Sequence, residues 1–574
     1  MSSILIPVYL HTSQCPGRSR CVTATGPAQL IPHLLGPNPV IGHFLQRMNL
    51  EAILRGALGS TRQSSLDHAR TLSVLVHNLL VSPGPLYRIA DWATRWEPQV
   101  LGLTRDQRAA LNDDRVARAL DALVSERARG VWFRLALRVI KQFEVNTDRV
   151  HFDTTTVTFH GKYAGSVDEP RLTHGYNKDH RPDLKQLLFG LTCSSDGAVP
   201  LHHQVHSGNR TDDSVHQGNL EELRRILGRD DFIYVADSKL CTLDNLRYLT
   251  AYGGRFVTVM PRTWKEDRCF RERLRAGGVR WKEILRLSNR RSATAPPDVY
   301  WSCRGEERTD SGYRLVWIRS SLKAEEDRLH REGQLRRAEA ELGELALKLN
   351  RRHLRKRRAI QGAVREILKH RGMERFLEAK LTQRVQLVPR RLKAGRPAAD
   401  DPVRMEARRT WTLLVRRNAP ALSRERRCDG VFPLLTNLDQ SAKRDVLLIY
   451  KYQPYVEKRF SGLKTELEIA PVYLKKPRRA AALVHAYFFA LVAASLIERE
   501  VRRNMARQKI ESLPLLPEGR PTKTPTCPRI LEAFNDVGWH EFVRGEEVIA
   551  FPLVLTPLQK QLLCLLQVPT DLYR

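Results

Sequence analysis

The stretch Tyr234-Val235-Ala236-Asp237-Ser238-Lys239 places a carboxylate directly after a short apolar run with high β propensity. That run, residues 232–236, is typical of a buried strand, so Asp237 is expected at the mouth of the fold rather than in its core. A second run, residues 150–157, alternates like a strand but carries Asp153 in its middle. A charge inside a core strand is unfavourable unless it is paired or binds a metal ion. Both acids are therefore candidate metal ligands.

The segments around these two acids predict a particular order of strands. Three strands come first, then a helix, a strand, a helix and a strand, at about 150–159, 187–192, 201–205, 220–226, 232–236, 243–252 and 256–260. An antiparallel meander followed by this alternation is the order of the α/β ribonuclease H-like fold. In that fold the first and fourth strands are neighbours, so we expect Asp153 to lie beside Asp237.

The charge balance indicates the kind of partner. The 574 residues include 96 Lys and Arg against 63 Asp and Glu, a formal net charge of +33. Such a surplus indicates a polyanion reached through phosphate contacts, most often a nucleic acid, although a merely soluble basic protein is the alternative. The nine cysteines are dispersed and contain no Cys-x-x-Cys pair, which fits a reducing compartment and disfavours zinc ribbons.

One segment, residues 480–497, approaches the length of a transmembrane helix. It contains His485, Tyr487 and Ser495. We expect a buried helix packed on a sheet, and no membrane partner.

A heptad pattern predicts one arm of a helical hairpin. Its core positions are Leu335, Ala338, Leu342, Leu345 and Leu349, and the basic run 351–358 on it is either a solvated face or a DNA contact.

The chain divides into six predicted segments. The segments are an irregular tail (1–30), a helical N-terminal domain for DNA binding or for packing and dimerisation (31–147), the first part of a ribonuclease H-like core (148–264), a β-plus-helical-hairpin insertion with a long basic helix (265–440), the second part of the core (441–512) and a C-terminal extension (513–574).

A third acid is needed for the chemistry that these carboxylates suggest. Phosphodiester cleavage by two metal ions requires a compact set of oxygen ligands, and magnesium suits such a set. Glu457, on a predicted helix, is the candidate third ligand beside Asp153 and Asp237. Lys464 follows seven residues later on the same helical face and is expected to hold DNA phosphate near the metal ions.

These motifs resemble those of a known family, the DDE transposases of bacterial insertion sequences, in the branch with a Tyr-x2-Arg-x3-Glu-x6-Lys signature. The resemblance covers residues 35–530, and the matching motifs are Phe152-Asp153-Thr154-Thr155, Val235-Ala236-Asp237, the blocks 174–186 and 208–212, and the signature positions Tyr450, Gln453, Glu457 and Lys464. The resemblance implies two magnesium ions, or manganese in their place, held by the three acids. It also implies nicking at terminal inverted repeats and strand transfer into target DNA. A homodimer on double-stranded DNA is expected only because two element ends must be paired.

The signature departs from the family at one position. Glutamine stands at residue 453, where the family has arginine, and it cannot hold phosphate with two charged donors. Pro454 favours the first turn of a new helix, which predicts Tyr450 on a separate helix, off the face of Glu457. The DNA-contacting set implied by the signature is Tyr450, Gln453 and Lys464. A reduced or lost activity stays open.

The block 174–186 supplies the other candidate DNA contacts. Its acids and histidines suggest a second metal site, but their spacing matches no known metal motif. The preferred interpretation is a loop at the rim of the active site, or one that contacts DNA through Lys178, Arg181 and Lys185.

Three functions remain open from the sequence alone. The first is a DNA transposase in the bacterial cytoplasm, associated with the nucleoid. The second is a nuclease of the same fold that cuts DNA without joining strands. The third is a DNA-binding protein derived from a transposase that has lost catalysis.

Overall fold

The computed structural model describes residues 29–59, 65–161, 163, 169–288, 296–351, 353–392, 403–467, 474, 476–544 and 547–573. The strands in these ranges are β1 (Gln29–Leu34), β2 (Arg149–Phe159), β3 (Lys185–Ser194), β4 (Pro200–Ser207), β5 (Ile233–Ala236), β6 (Arg255–Val259), β7 (Trp281–Leu287), β8 (Asp298–Cys303), β9 (Glu307–Arg308), β10 (Arg314–Ser320), β11 (Leu377–Arg391), β12 (Val403–Arg417), β13 (Val431–Thr436), β14 (Gly538–Arg544) and β15 (Glu547–Phe551).

The α-helices in the same ranges are α1 (Asn38–Arg47), α2 (Leu50–Leu58), α3 (His68–Val81), α4 (Ile89–Thr94), α5 (Arg105–Ala109), α6 (Asp113–Leu123), α7 (Val131–Phe143), α8 (His216–Leu227), α9 (Leu243–Ala251), α10 (Lys265–Ala276), α11 (Ser321–Lys348), α12 (Arg357–Arg371), α13 (Ala419–Arg426), α14 (Lys443–Tyr450), α15 (Pro454–Ser461), α16 (Pro477–Arg507), α17 (Cys527–Glu532) and α18 (Pro557–Leu566).

A large mixed sheet dominates the α/β part of the chain. Its strand order is β4-β3-β2-β5-β6-β13-β10-β8-β7, with β9 paired to β10. Within it β2 runs parallel to β5, and β5 runs parallel to β6, whereas β2, β3 and β4 form an antiparallel meander. The predicted strand order is confirmed, as is the predicted adjacency of the first and fourth of these strands.

The burial of β2 explains why its acid stands out. Every residue of β2 after Arg149 is buried except Asp153, which is half-buried. A strand buried along its length has both faces covered, so its sequence is nearly continuous in β-branched and apolar residues. Beyond Arg149, Asp153 is therefore the one residue of β2 that is partly exposed to solvent.

Strands within the predicted insertion, 265–440, lengthen the main sheet. β10 pairs with β13, which in turn pairs with β6. Val316 and Leu434 from these strands pack with Val446 and Leu447 of α14 in one buried cluster. The chain leaves the sheet after β10 and returns at β13, whose end residues Arg319 and Val431 are register partners. What is inserted is therefore the segment 321–430, between two neighbouring strands.

The inserted segment contains the predicted helical hairpin and a two-stranded ribbon that sequence patterning missed. α11 and α12 share a buried cluster that includes Leu335, Leu342 and Ile360. The basic run 351–358, described except for residue 352, forms the connection after α11 and the start of α12, rather than a face of α11. β11 and β12 pair antiparallel with each other along fifteen residues each, and the predicted loop 397–402 at their tip lies outside the described residues.

Contacts divide the chain into two compact units. One contains the described parts of 1–131, 466–468 and 482–574, and the other contains those of 132–465 and 469–481. In the first unit β1 pairs with β14, which also pairs with β15. Tyr573 donates a hydrogen bond to the carbonyl oxygen of Gly36 over 3.0 Å. The N-terminal helices and the C-terminal extension thus belong to one unit, and the six predicted segments stay predictions.

Helix α16 is the only helix of the described residues that is long and apolar enough to cross a membrane, and 89% of its apolar window is buried inside the protein. Its later turns carry the buried polar residues Glu498, Arg499 and Glu500. Glu498 accepts a hydrogen bond from the backbone N–H of Cys527 over 3.0 Å. The predicted burial of this segment is confirmed.

Candidate active site

Two carboxylates meet where β2 and β5 stop pairing. Phe152 of β2 is the register partner of Ala236 of β5, so the next residue on each strand is an aspartate. Asp153 accepts a hydrogen bond from the N–H of Thr154 over 2.7 Å. Asp237 accepts one from the N–H of Lys239 over 3.0 Å. The parallel pairing alone brings Asp153 and Asp237 to the same edge of the sheet.

The environment of these acids opposes their negative charge. The pKa of Asp153 is raised to about 7, chiefly by burial and in smaller part by the charges of Asp237 and Glu457, while Lys178 and the N–H of Thr154 act in the other direction. Burial likewise raises the pKa of Asp237, and the charge of Asp212 adds to this effect. Crowded, partly desolvated carboxylates gain most from a nearby cation.

The third acid comes from α15. Glu457 is exposed in the first turn of this helix, and its charge reaches Asp153. Tyr450 ends α14, so the predicted helix break before Pro454 is confirmed. Tyr450 therefore lies on a separate helix from Glu457, as expected, and its position off the face of Glu457 stays a prediction. Burial raises the pKa of Tyr450, and the charges of Asp237, Glu457 and Asp153 all contribute.

Gln453 does not occupy the place of a phosphate contact. Its side chain is buried, and its Nε2 donates to the carbonyl oxygen of Phe152 over 2.8 Å. Its Oε1 lies 3.1 Å from Nδ1 of His151, so the imidazole tautomer that fits carries its proton on Nδ1. Burial lowers the pKa of His151 to about 4, which keeps the ring neutral. Gln453 thus ties the start of α15 to the strand residues that precede Asp153, and the structure corrects the expected DNA contact.

Lys178 lies among the acids, where sequence reasoning expected a DNA contact. Its Nζ donates to the carbonyl oxygen and to Oγ1 of Thr154, over 2.7 and 2.8 Å. It also lies 3.2 Å from Oδ2 of Asp212. Its charge lowers the pKa of both Asp153 and Asp237 against the effect of burial. Lys178 is therefore the positive charge that the fold itself places beside the carboxylates.

Asp212 is a site residue that sequence reasoning missed. Its Oδ1 accepts a hydrogen bond from Oγ1 of Thr154 over 2.9 Å, and its charge raises the pKa of Asp237. The signal was present in the block 208–212, which ends on this acid after strand β4. Only the folded loop shows that the acid returns to the two strands.

The loop 174–186 has a fixed shape beside these acids. Asn177 is buried, and its Oδ1 accepts hydrogen bonds from the N–H groups of Asp179 and Arg181 over 2.8 and 3.1 Å. Its Nδ2 donates to Oε1 of Gln186 over 2.8 Å. A Cβ atom at Gly175 would lie 2.1 Å from the carbonyl oxygen of Gly208, so this close approach requires glycine. These contacts agree with a loop at the rim of the active site.

The remaining predicted DNA contacts are engaged within the protein. Lys464 lies in the π-helical turn Gly462–Glu466 after α15, and its Nζ donates to both carboxylate oxygens of Asp179 over 2.7 and 2.8 Å. The guanidinium of Arg181 donates to Asp183 over 2.8 and 2.6 Å. Lys185 donates to the carbonyl oxygen of Tyr163 over 3.1 Å. DNA contact by these three residues stays a prediction, and it requires each to exchange or share its present partner.

The donor chemistry of the two aspartates suits a divalent ion. Asp153 and Asp237 offer only oxygen atoms, on adjoining strand positions and with raised pKa values, which suits a hard cation such as Mg²⁺. Across the described ranges, no group of three or more His, Cys, Asp or Glu side chains stands ready as a metal site. Glu457 and the acids of the rim loop are therefore not gathered into such a group, and the alternative of a second metal site in 174–186 has no support.

Comparisons with known proteins give remote similarities. Residues 33–137 match a family model described as a domain of unknown function, DUF4277. No curated protein matches the chain. The chain is similar to a cryo-EM structure of the piggyBac transposase synaptic complex with hairpin DNA, at 9% identity and a TM-score of 0.38, over 88% of this chain and 82% of that one. It is also similar to the Mos1 transposase in a paired-end complex with the left transposon end, at 12% identity and a TM-score of 0.14, over 36% of this chain and 62% of that one. At these values the similarities support no assignment by themselves.

Proposed function

We propose that this chain is a DNA transposase with a ribonuclease H-like core, which cuts DNA at the ends of its element and joins those ends to target DNA. The observation that carries the proposal is the meeting of Asp153 and Asp237 beyond a parallel strand pair, with Glu457 near enough to act on the charge of Asp153. The net charge of +33 supports a polyanionic substrate. The sequence motifs that resemble DDE transposases supply the reaction type.

Asp153, Asp237 and Glu457 would hold the divalent ions, with two magnesium ions expected and manganese as a substitute. When bound, such ions supply Lewis-acid stabilisation of the attacking and leaving oxygens of the phosphodiester. The proposal requires Glu457 to move towards the two aspartates when ions and DNA are present. Its exposed position at the start of a short helix is compatible with that movement.

The chain's own residues hold this arrangement in place. Gln453 fixes the start of α15 against β2, and therefore sets where Glu457 can reach. Lys178 balances part of the carboxylate charge and keeps Thr154 and Asp212 together. Lys464 joins the turn after α15 to the rim loop through Asp179. In the proposed reaction, hydrolysis of a phosphodiester frees a 3′-hydroxyl, and this hydroxyl then attacks a phosphodiester of the target duplex.

The proposal extends to partners and location. The substrate would be double-stranded DNA, first at terminal inverted repeats and then at the target. Pairing two element ends in one reaction would need a homodimer on DNA. The proposed location is the bacterial cytoplasm, with the nucleoid.

The test is cleavage of DNA that carries the inverted repeats flanking the gene, with and without magnesium. We expect the wild type to nick at the repeat ends, and Asp153→Ala, Asp237→Ala and Glu457→Ala to bind the same DNA without cutting it. Asp231→Ala is the matched control, because this exposed aspartate lies near the other end of β5. Cleavage by the Asp237→Ala protein would sink the assignment.

A joining assay separates the transposase from a nuclease of the same fold. Labelled DNA with a free 3′-hydroxyl at the repeat end is incubated with plasmid, and covalent transfer of the label is measured. Transfer that requires Asp153 supports the transposase. Cutting without any transfer supports the nuclease, and binding without either reaction supports a derivative that has lost catalysis.

A further inference from the structure

The ribbon formed by β11 and β12 is unusual in length and exposure. Its strands pair without a register shift over fifteen residues each, whereas strands are more often about five or six residues long. At a rise of about 3.4 Å per residue, the ribbon extends about 50 Å. Among the described residues it pairs with no third strand. A two-stranded ribbon is only marginally stable in water on its own. We therefore expect a partner to bind its outer half.

The register assigns most of the charged residues of the ribbon to one face. Successive side chains of a strand point to opposite faces, and β11 and β12 pair even-numbered residues with even-numbered residues. The even-numbered face, called here the basic face, is exposed along the ribbon. Against two acids, Glu378 and Glu406, it carries six basic side chains: Lys380, Arg384, Arg390, Arg404, Arg408 and Arg416.

Several arginines of this face are available to a partner. Arg390 donates to Glu406 over 3.0 Å. The side chains of Arg384, Arg404 and Arg408 are exposed and have no hydrogen-bonded or ion-paired partner among the residues that the structure describes. Exposed guanidinium groups on one face, with few acids between them, match the charge of a nucleic-acid backbone rather than a neutral surface.

The opposite face holds the ribbon at its base. There Leu381, Leu413 and Val415 pack on the buried cluster of α11 and α12. Trp411 donates from Nε1 to the carbonyl oxygen of Arg355 over 2.9 Å. The guanidinium of Arg417 reaches two glutamates of α11, Glu332 over 2.9 Å and Glu339 over 2.6 Å. The base is thus fixed on the helices, while the basic face stays free.

We propose that the basic face of this ribbon binds duplex DNA, seated in the major groove with its arginines on the flanking phosphates. The major groove, about 12 Å wide, admits a two-stranded β-ribbon. A ribbon of about 50 Å follows about 15 base pairs at 3.4 Å per pair. The inference rests on the proposed function, because it gives the DNA on which the core acts a second contact, along the inserted segment.

The outer half of the opposite face is apolar, and it suggests a second possible partner for the ribbon. Val385, Leu387 and Met405 are between 54% and 65% exposed there. A second copy of the chain could cover this apolar strip without using the arginines. Charge favours DNA for the basic face, and the test below separates the two occupants.

The test compares adjacent arginines on opposite faces. Arg408 lies on the basic face, and Arg409, its neighbour on β12, lies on the other face and is also exposed. Binding of the full-length protein to a fluorescein-labelled mixed-sequence duplex of about 30 base pairs, twice the ribbon's reach, is followed by anisotropy in EDTA at several salt concentrations. We expect Arg408→Ala to lower the slope of log affinity against log salt by about 0.9, and the triple variant Arg384→Ala/Arg404→Ala/Arg408→Ala to lower it by about 2.7. Arg409→Ala should leave the slope unchanged.

Equal slopes for Arg408→Ala and Arg409→Ala, or an unchanged slope for the triple variant, overturn the proposal. Thermal unfolding of each variant checks the fold, and replacement of the three arginines by lysine should restore most of the slope. If the wild type is a dimer that Val385→Ser/Leu387→Ser converts to monomers, while the triple variant binds DNA like the wild type, the ribbon is a protein interface and the proposal fails.

Cleavage is measured separately, so that the two proposals fail in different ways. A wild type with an arginine-dependent slope that cuts nothing leaves the ribbon inference standing and removes the proposed function. A triple variant that binds and cuts like the wild type removes the ribbon inference and leaves the proposed function standing.

Discussion

The two site aspartates and the ribbon arginines carry opposite charges, and they differ in how far they are buried. Asp153 and Asp237 are half-buried, and the fold raises the pKa of both. Arg384, Arg404 and Arg408 are exposed on a ribbon with no core beneath its outer half. In the first region the surrounding protein determines whether each carboxyl group is charged. In the second region the arginines are charged in any case, and their interactions are with solvent or with a partner. Substitutions should therefore change stability at the acids and affinity at the ribbon.

The largest stability effect is expected at Asp153. Its pKa of about 7 lies above the value near 4 of an unfolded aspartate, so its ionisation weakens the folded state as pH rises from about 4 to above 7. We expect Asp153→Asn to raise the free energy of unfolding by about 2–4 kcal/mol at pH 8 in EDTA, with little difference near pH 4. Chemical denaturation at the two pH values measures it. Added magnesium should stabilise the wild type and not the variant, and a variant less stable than the wild type at pH 8 contradicts the account.

The next effect is expected at Gln453, which joins the buried scaffold of the site to α15. Gln453→Leu leaves His151 Nδ1 and the carbonyl oxygen of Phe152 without partners, which should lower the free energy of unfolding by about 2–3 kcal/mol. Gln453→Arg, which introduces the arginine of the signature that the sequence resembles, can donate to Phe152 but cannot accept from His151. We expect it to be destabilised as well, and to cut DNA no faster than the wild type. A more active Gln453→Arg protein would show that residue 453 contacts phosphate after all.

A smaller effect is expected at Lys178. Lys178→Met removes the cation that lowers the pKa of Asp153 and Asp237, so the folded state should lose about 1 kcal/mol at pH 8. In the Asp153→Asn background part of this loss should disappear, because one of the opposed charges is gone. The four proteins form a double-mutant cycle, followed by denaturation. A coupling indistinguishable from zero would separate Lys178 from the acid cluster.

The smallest effect is expected at the base of the ribbon. Arg417 is paired with two partly exposed glutamates, and such pairs contribute less than about 1 kcal/mol because solvent screens them. Arg417→Ala should therefore change the midpoint of unfolding by only a few degrees or less. Hydrogen exchange of the β11 and β12 amides should still increase, since the ribbon loses a clamp. Unchanged exchange would mean that the packing of Trp411 and its neighbours holds the base alone.

The sequence predicts the parts of the site that lie in local patterns. Each core strand is a short β-prone run, and Asp237 follows one directly, so the order of elements and the meeting of two acids can be inferred without a structure. The positions of Lys178 and Asp212 cannot, because both lie on loops whose course depends on contacts such as that of Asn177 with Gln186. Gln453 shows the same limit, since its role depends on a strand three hundred residues earlier.

Strand partners are the other part that sequence patterning does not predict. The β-containing insertion predicted at 265–440 carries no information on the neighbours of its strands, so the place of β8 and β10 in the main sheet could not be inferred. β1 pairs with β14 across most of the chain's length. β11 and β12 are exposed on both faces in their outer half, and therefore lack the alternation between apolar and polar residues by which strands are recognised.

The pairing of Arg319 with Val431 has a consequence for how this chain can be shortened. Neighbouring antiparallel strands need only a two-residue turn to join them, and here they are joined by more than a hundred residues. The segment 321–430 is thus an insertion at one hairpin turn, tied to α10 outside it by the ion pair of Glu425 with Arg275, whereas β10 and β13 on either side support α14. A chain closed at that turn would keep the acids and the sheet that carries them, and it would separate the catalysis proposed for these acids from the DNA contact proposed for the ribbon.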